Sequence, residues 1–476
     1  MYEVPHQYFY RLHHVRPRFK NDVEDVLLYV AQRISGIQAL PESEFQARLF
    51  DDLRAYPGNL SKKKKTIDNW RTEISALFGF VLETDGMNSA GEAARQLASS
   101  GDLVQFFRNF LLRFQYPGGH VKPTTVLEQL KKGIHFHPAS FIIRIFEAGD
   151  NLVGPEKSFS LSAAELTHVV FNDLRCTSSA EFGPEDAARI ILRNRQASTI
   201  YDETGDVIRY ALDILDYLVL AEILYKMPTN GRYYFDDKNR YAANQLVARA
   251  ALFSGYDQIL TTSPTALAEI AEIESDWFEF ANLDLGPLNE ELETLELSAV
   301  AAERGLSIDD LIDGIRRALE GGARDIGWAG EALAIDYEQR RLTGAGLPEL
   351  AKKVCKIPDQ QGVGYDILSF EGKPNIEDVK RHIEVKTTRS YQPLKTFSFR
   401  LTNNEWGSAK ALKDSYYVFR VMVSHERVRT IVLRNPWGMY EAEKITVRAQ
   451  DGWVVTFDEE QGEWIEIFEA GDHGKL

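Results

Sequence analysis

Residues 364–388 read GYDILSFEGKPNIEDVKRHIEVKTT, two extended stretches separated by a turn segment, EGKPN. Both read as extended, and in RHIEVKTT apolar and polar residues alternate, the period of a strand with one packed face. Asp366 and Glu384 are 384 − 366 = 18 positions apart, enough for two short strands and a connecting loop. Adjacent strands lie about 4.8 Å apart, so in matching register both carboxylates reach one ion. Residues two apart on a strand share a face, and therefore Glu384 and Lys386 project together while Val385 points into the packing.

That arrangement suits one kind of chemistry. Phosphodiester hydrolysis needs a water made nucleophilic near neutral pH and a means of stabilising negative charge on the phosphate and the leaving oxygen, and Mg²⁺ supplies both. Mg²⁺ is a hard cation that keeps several of its own waters, so a few carboxylates and a carbonyl suffice to hold it. Asp366 and Glu384 would supply the carboxylates and the Val385 carbonyl a third oxygen. Lys386 would orient the attacking water or steady charge on the phosphate. A Glu-x-Lys tripeptide is also common on solvated strands. Here Ile367, Leu368, Ile383 and Val385 give the same strands an apolar face, and charges held beside buried strands favour function over solubility.

Working outward, the segment from about Ile326 gives an order of helix (GWAGEALAIDYEQRRL), three strands (GYDILSF, RHIEVKTT, TFSFRL), helix and strand (YYVFRVMV). The second helix opens at Thr402-x-x-Glu405, a capping box. The C-terminal VRTIVLRNPWGMYEAEKITVRAQDGWVVTF reads as accessory strands.

Taken together, GWAGEALAIDYEQRRL, GYDILSF, IEVKTT and FSFRLTNNEWGSAKAL followed by YYVFRV resemble the PD-(D/E)xK nuclease superfamily, and within it the protein NO VEIN C-terminal domain family. The resemblance covers about Gly327 to Val423, a fifth of the chain. It implies an α/β core with a central mixed sheet and a metal site at Asp366, Glu384 and Lys386. It also implies that Glu331, on the first helix, matches an acidic position that helps hold metal or water, and that the protein acts as a homodimer. The superfamily's Pro-Asp is here Tyr365-Asp366, which keeps the ligand and alters the backbone before it.

Several neighbours have plainer explanations. Glu338, seven residues after Glu331, is expected on the solvated helix face. Thr387 and Thr388 extend the strand, with phosphate contact as an alternative. His135 and His137 alternate as metal ligands do, yet lack Cys or carboxylate partners. Glu405 and Trp406 are assigned to capping and packing.

The first 260 residues look mainly helical, with apolar positions at helical spacing in NDVEDVLLYVAQRI, TIDNWRTEISALFGF and DLVQFFRNFLLRF. Two places suggest winged-helix units. In one, Lys62, Lys63, Lys64 and Lys65 precede a helix carrying Asn69 and Arg71, candidate DNA contacts, and FVLET follows. In the other, a capping box at Ser162-x-x-Glu165 precedes ALDILDYLVLAEIL and RYYFDD. A solvated helical bundle is the plain alternative for both. No Lys or Arg falls between Arg249 and Arg304, so that acidic stretch is expected to be a connector away from phosphates. The expected division is a helical, possible winged-helix module at 1–150, a second at 151–260, the connector at 261–320 and the nuclease domain at 321–476.

Composition bounds the alternatives. The chain has 476 residues, 44% hydrophobic and 26% charged, the balance of a globular multidomain protein. With two cysteines it has neither a disulfide framework nor a thiolate zinc site. No run approaches the roughly 20 apolar residues of a membrane span, and the N-terminus lacks a secretory signal, so no membrane partner and a cytoplasmic location are expected. The formal charge of −16 argues against nonspecific coating of nucleic acid, which needs clustered cations. It leaves room for an enzyme with basic residues on one face. No GxxxxGK[ST] motif is present.

The preferred reading is a Mg²⁺-dependent endodeoxyribonuclease, with Mn²⁺ able to substitute. Its N-terminal modules would recognise double-stranded DNA in a restriction or phage-defence setting. One alternative is a defence-associated nuclease whose N-terminal half binds a protein partner. Another is a catalytically silent DNA-binding module.

Overall fold

The computed structural model describes residues 1–281 and 323–465, except 18, 20, 21, 179, 180, 205–207, 359–361, 373–378, 425–427, 450 and 451. Most of the acidic connector expected at 261–320 lies outside the described residues. Its first part forms two short helices, Ala266–Glu272 and Glu274–Ala281. Their Ile270 and Trp277 pack with Val121, Val126 and Phe253.

The N-terminal part opens with α1 (Val23–Ile34), buried along its whole length. Then come β1 (Leu40–Pro41), α2 (Glu42–Ala55) and α3 (Lys64–Phe78). Helix α3 buries Ile67, Trp70, Ile74 and Leu77 at helical spacing and ends at Gly79, whose φ of 66° lies in the left-handed region. The chain turns through Asp85 and Gly86, both at positive φ, between β2 (Val81–Thr84) and β3 (Met87–Ala90). That is the turn chemistry that matches strand twist in a tight hairpin. These strands form a sheet ordered β1-β3-β2, followed by α4 (Glu92–Ser100) and α5 (Leu103–Arg113).

A second stretch repeats the plan. β4 (Ser160–Leu161) leads into the Ser162 capping box, which forms as expected. Helices Pro184–Gln196 and Arg209–Leu220 follow, then the hairpin β5 (Leu224–Lys226) and β6 (Tyr233–Phe235), in the order β4-β6-β5. Buried side chains from Leu12 to Leu246 form one continuous cluster across both stretches.

The C-terminal part has the expected order of elements. Helix Ala323–Gly344 precedes β7 (Cys355–Lys356), β8 (Ile367–Phe370), β9 (Lys380–Ser390) and β10 (Phe397–Leu401). Helix Asn403–Leu412 leads to β11 (Tyr416–Ser424) and β12 (Val428–Arg434). β13 (Thr446–Ala449), β14 (Trp453–Phe457) and β15 (Glu463–Ile465) complete the described chain. A mixed six-stranded sheet runs β15-β12-β11-β9-β8-β7, with β9 and β11 parallel and the other pairs antiparallel.

One strand departs from the expected sheet. TFSFRL forms β10, but it pairs with β14 in a second, three-stranded sheet. The turn before it is redirected by α1. Glu24 accepts the backbone N–H groups of Tyr391 and Gln392 at 2.6 and 2.9 Å, and Asp25 those of Lys395 and Thr396 at 2.8 and 2.9 Å.

The two faces of the large sheet carry different cores. Ile383, Val385, Phe419 and Val421 meet Ile326, Ala329 and Leu333 of helix Ala323–Gly344. Tyr416, Val418 and Met422 meet Trp406, Phe399 and Val455 on the other side. No helix among the described residues is long and apolar enough to cross a membrane.

Candidate active site

The antiparallel register of β8 on β9 pairs Ile367 with Ile383. Asp366, the residue before this pair, donates its N–H to the Ile383 carbonyl at 2.9 Å, so the ladder is irregular where β8 begins, and the Asp366 charge acts on Glu384. β8 reaches no further along β9, so the next N–H, that of Val385, has no strand partner and donates instead to Asp366 Oδ2 at 2.7 Å. The N–H and C=O of one strand residue point toward the same neighbour, which turns the Val385 carbonyl to the edge where Asp366 sits.

Lys386 shares the face of Glu384. Its Nζ lies 2.6 Å from Glu384 Oε1 and 2.9 Å from Glu405 Oε2. Glu405 closes the capping box of helix Asn403–Leu412, where its Oε2 accepts the Thr402 N–H at 2.9 Å. The sequence assigns it to capping alone; the structure gives it a second role as a partner of Lys386. Arg420, opposite Lys386 on β11, donates from Nη1 to the Lys386 carbonyl at 3.2 Å. It is buried, and burial lowers its pKa to about 10.

The approach to Asp366 is held by the same helix. Asn404 Nδ2 donates to the Gly362 carbonyl at 2.7 Å and Ser408 Oγ to the Val363 carbonyl at 2.8 Å. The Tyr416 hydroxyl donates to the Gly364 carbonyl at 3.0 Å. Gly364 has φ 72°, and a Cβ there would lie 2.8 Å from the Asn404 carbonyl oxygen, so a side chain would displace the loop from the helix.

Burial raises the Asp366 pKa, with the Val385 N–H and Lys386 acting against it. Burial raises the Glu384 pKa well above the usual carboxylate range, Lys386 opposes the rise, and Asp366 and Glu405 add to it. For Lys386, burial alone would lower the pKa, but Glu384 and Glu405 outweigh it and hold it above the usual lysine range. The centre thus gathers Asp366, Glu384 and Glu405 around one fixed ammonium, and two of those carboxylates resist ionising without further positive charge.

Among the described residues no three His, Cys, Asp or Glu side chains form a ready-made metal cluster. Two hard carboxylates and a carbonyl on one strand edge are available, and that donor set suits Mg²⁺. Glu331 is placed elsewhere. Its helix packs on the opposite face of β9, and its carboxylate pairs with Lys356 Nζ at 2.5 Å. The Lys356 charge in turn acts on Asp366, so Glu331 is linked to the centre through Lys356.

Glu338 corrects an expectation. It is fully buried, accepting from Ser369 Oγ at 2.6 Å and pairing with Arg341 at 2.6 Å and Arg381 at 3.1 Å. Arg341 lies three residues along the same helix, whereas Ser369 and Arg381 arrive from strands that meet the helix only in the fold. Thr387 and Thr388 are packed rather than presented to solvent: a Cβ at Gly330 would lie 1.9 Å from Thr387 Oγ1, and one at Gly101 2.9 Å from Thr388 Cγ2. His137 caps a helix, its Nδ1 accepting the Ser140 N–H at 3.2 Å.

The proposed DNA contacts lie at the start of α3. Lys63, Lys64 and Lys65 are exposed, while the Lys62 ammonium rests 4.2 Å from the Trp70 ring centre. Arg71 lies 3.7 Å from Asp68. Asn69 keeps its amide nitrogen buried, which turns that group away from any base edge.

A model of the family described as restriction endonuclease BpuJI, N-terminal, matches residues 2–278. A second, described as protein NO VEIN, C-terminal, matches residues 330–433. Among solved structures, the chain is similar to the protein in a crystal structure of pyrene- and phenanthrene-modified DNA in complex with the BpuJ1 endonuclease binding domain. The TM-score is 0.51 at 21% identity, over 58% of this chain and 98% of that one. At this identity the likeness establishes fold alone. No curated protein matches the chain.

Proposed function

The chain belongs to the BpuJI N-terminal family of restriction endonucleases, and from that premise we propose that it is a Mg²⁺-dependent endodeoxyribonuclease with a C-terminal catalytic core of the PD-(D/E)xK kind. The observation that carries the reading is the junction of β8 and β9, where the Val385 N–H donates to Asp366 Oδ2 at 2.7 Å and Lys386 Nζ lies 2.6 Å from Glu384 Oε1.

Asp366, Glu384 and the Val385 carbonyl would hold Mg²⁺. Bound there, the ion would supply a water of lowered pKa and offset charge on the phosphate. Lys386, held charged by Glu384 and Glu405, would stabilise the negative charge that builds on the phosphate as water oxygen bonds to phosphorus and the bond to the leaving oxygen breaks. Arg420 fixes the Lys386 backbone. Asn404 and Ser408 fix the loop that delivers Asp366. Glu331 acts at one remove, by setting Lys356.

Residues 2–278 are read as the duplex-binding part. The order α1, β1, α2, α3 and the β2–β3 hairpin is that of a winged helix, with α3 in the recognition position, and β4 to β6 with their helices repeat it. Exposed Lys63, Lys64 and Lys65 at the start of α3 suit phosphate contacts, which position a protein on DNA. The DNA held by the solved neighbour supports the same reading. A restriction or phage-defence enzyme, cytoplasmic and acting as a homodimer, is the setting that fits.

The test is incubation of the protein with plasmid DNA in Mg²⁺, Mn²⁺ or EDTA. The wild type should cut with either metal and not in EDTA. Asp366→Ala, Glu384→Ala and Lys386→Ala should each lose roughly 100-fold or more with unchanged circular dichroism. A wild type that cuts no DNA with either ion, or a folded variant that cuts at the wild-type rate, overturns the assignment.

A further inference from the structure

Beyond Lys386, β9 runs into the N-terminal half of the molecule. The Arg389 N–H donates to the Gly101 carbonyl at 3.0 Å, and Arg389 forms a parallel bridge with Asp102. Asp102 is the N-cap of α5, its Oδ1 accepting the Gln105 N–H at 2.9 Å. The Arg389 guanidinium pairs through Nη2 with Glu222, and its charge acts on Asp102 as well.

The two carboxylates come from different units. Asp102 follows the β2–β3 hairpin and α4 of the first stretch. Glu222 belongs to the second, between helix Arg209–Leu220 and β5, at φ 55° with its N–H donating to the Val219 carbonyl at 2.9 Å. One side chain on the strand of Glu384 and Lys386 therefore meets both units read above as the duplex-binding part.

Burial makes that junction a fixed one. Arg389 is 6% exposed and Asp102 2%, and the Glu222 side chain is 13% exposed. Exposed ion pairs are screened and loosely held, whereas a buried charge that loses its partner also lacks its hydration. The planar guanidinium fork adds direction to the hold.

We infer that Arg389 is a positioning residue for cleavage: held between Glu222 and Asp102, it sets where β9, with Glu384 and Lys386, stands relative to the bound duplex. The role rests on the nuclease reading above. Arg389 acts through the strand, so its loss should appear in the rate of cleavage and leave the grip on DNA, assigned to α3, unchanged. A misplacement of reacting groups near 1 Å costs roughly 100-fold in rate.

The test uses the full chain, with duplex affinity measured by fluorescence anisotropy and single-turnover plasmid cleavage followed in Mg²⁺ with enzyme in excess. Arg389→Met and Glu222→Gln should each slow cleavage by about tenfold or more and keep duplex affinity within about twofold. The double variant should be no slower than Arg389→Met, because both changes remove one link. Arg448→Met supplies the control: it breaks a 2.6 Å ion pair with Asp52 that joins the same halves at β13, away from β9, and should cut at the wild-type rate.

The inference is overturned if folded Arg389→Met or Glu222→Gln cuts at the wild-type rate, or if duplex affinity falls in step with the rate. It is equally overturned if the two losses multiply in the double variant, or if Arg448→Met slows cleavage as much. Glu222→Gln keeps the shape and an acceptor oxygen, so it decides the matter where Arg389→Met does not fold. A wild type that cuts no DNA refutes the nuclease reading and this role together; a wild type that cuts, beside variants that cut as well, refutes the role alone.

Discussion

Gly101→Ala should disable cleavage by displacing β9 along the edge that also carries Asp366. Gly101 sits between α4 and α5 at φ +68°, and its carbonyl accepts the Arg389 N–H at 3.0 Å. A Cβ there would stand 2.7 Å from the Thr387 carbonyl oxygen and 2.9 Å from Thr388 Cγ2. The left-handed backbone costs an L-residue about 1–2 kcal/mol. Relieving a clash with backbone adds about 1–3 kcal/mol, because Thr387 is fixed between β11 and helix Ala323–Gly344. Together the substitution should destabilise by about 2–5 kcal/mol. Because Thr387 follows Lys386 directly, a shift of β9 by a fraction of an ångström reaches the Lys386 ammonium. A misplacement near 1 Å costs roughly 100-fold in rate. Gly58 provides the control, with φ +80° and nothing within 4 Å of an added Cβ, so Gly58→Ala should show the conformational cost alone and keep its cleavage rate. Urea unfolding and plasmid cleavage measure the two quantities, and duplex binding should survive both changes. Equal losses of stability and activity in the two variants would refute the packing argument.

Glu24 gives a pH dependence. Burial raises its carboxyl to about 8 from the ordinary 4.5, against the pull of the Gln392 and Tyr391 N–H groups. The folded chain then binds the proton that the unfolded chain has released, so stability falls as pH rises from 4.5 to 8. The decline is on the order of 4 kcal/mol, and Glu24→Gln should flatten it in unfolding titrations; an unchanged slope would assign the decline to other groups. Glu405→Gln removes one of two carboxylates on Lys386 and keeps the capping box, because a glutamine oxygen still accepts the Thr402 N–H. It should slow cleavage less than Lys386→Ala does; a loss as complete as that of Lys386→Ala would contradict a supporting role. Replacing Lys63, Lys64 and Lys65 together with Ala should lower the salt-dependence slope of duplex binding by about 3, measured by fluorescence anisotropy, and an unaltered slope would remove α3 from the interface.

Local pattern made much of the C-terminal fold legible. Extended apolar segments located β8, β9 and β11, and the Ser162 and Thr402 capping boxes marked helix starts that the structure keeps. The nearness of Asp366, Glu384 and Lys386 was legible because all three lie on one hairpin. What escaped depends on partners distant in the chain. Glu338 looks like a surface residue until Ser369 and Arg381 reach it. Glu405 looks like a cap until Lys386 arrives from β9. β10 joins the second sheet because Glu24 and Asp25, some 370 positions earlier, hold the turn before it.

The most direct measurement of the central claim is anomalous diffraction from crystals of the full chain grown with Mn²⁺. A peak about 2.1–2.3 Å from carboxylate oxygens of both Asp366 and Glu384 and from the Val385 carbonyl is expected, and it should vanish in Glu384→Gln. A peak centred on Glu331 or elsewhere, or none at this strand edge under saturating metal, would contradict the account.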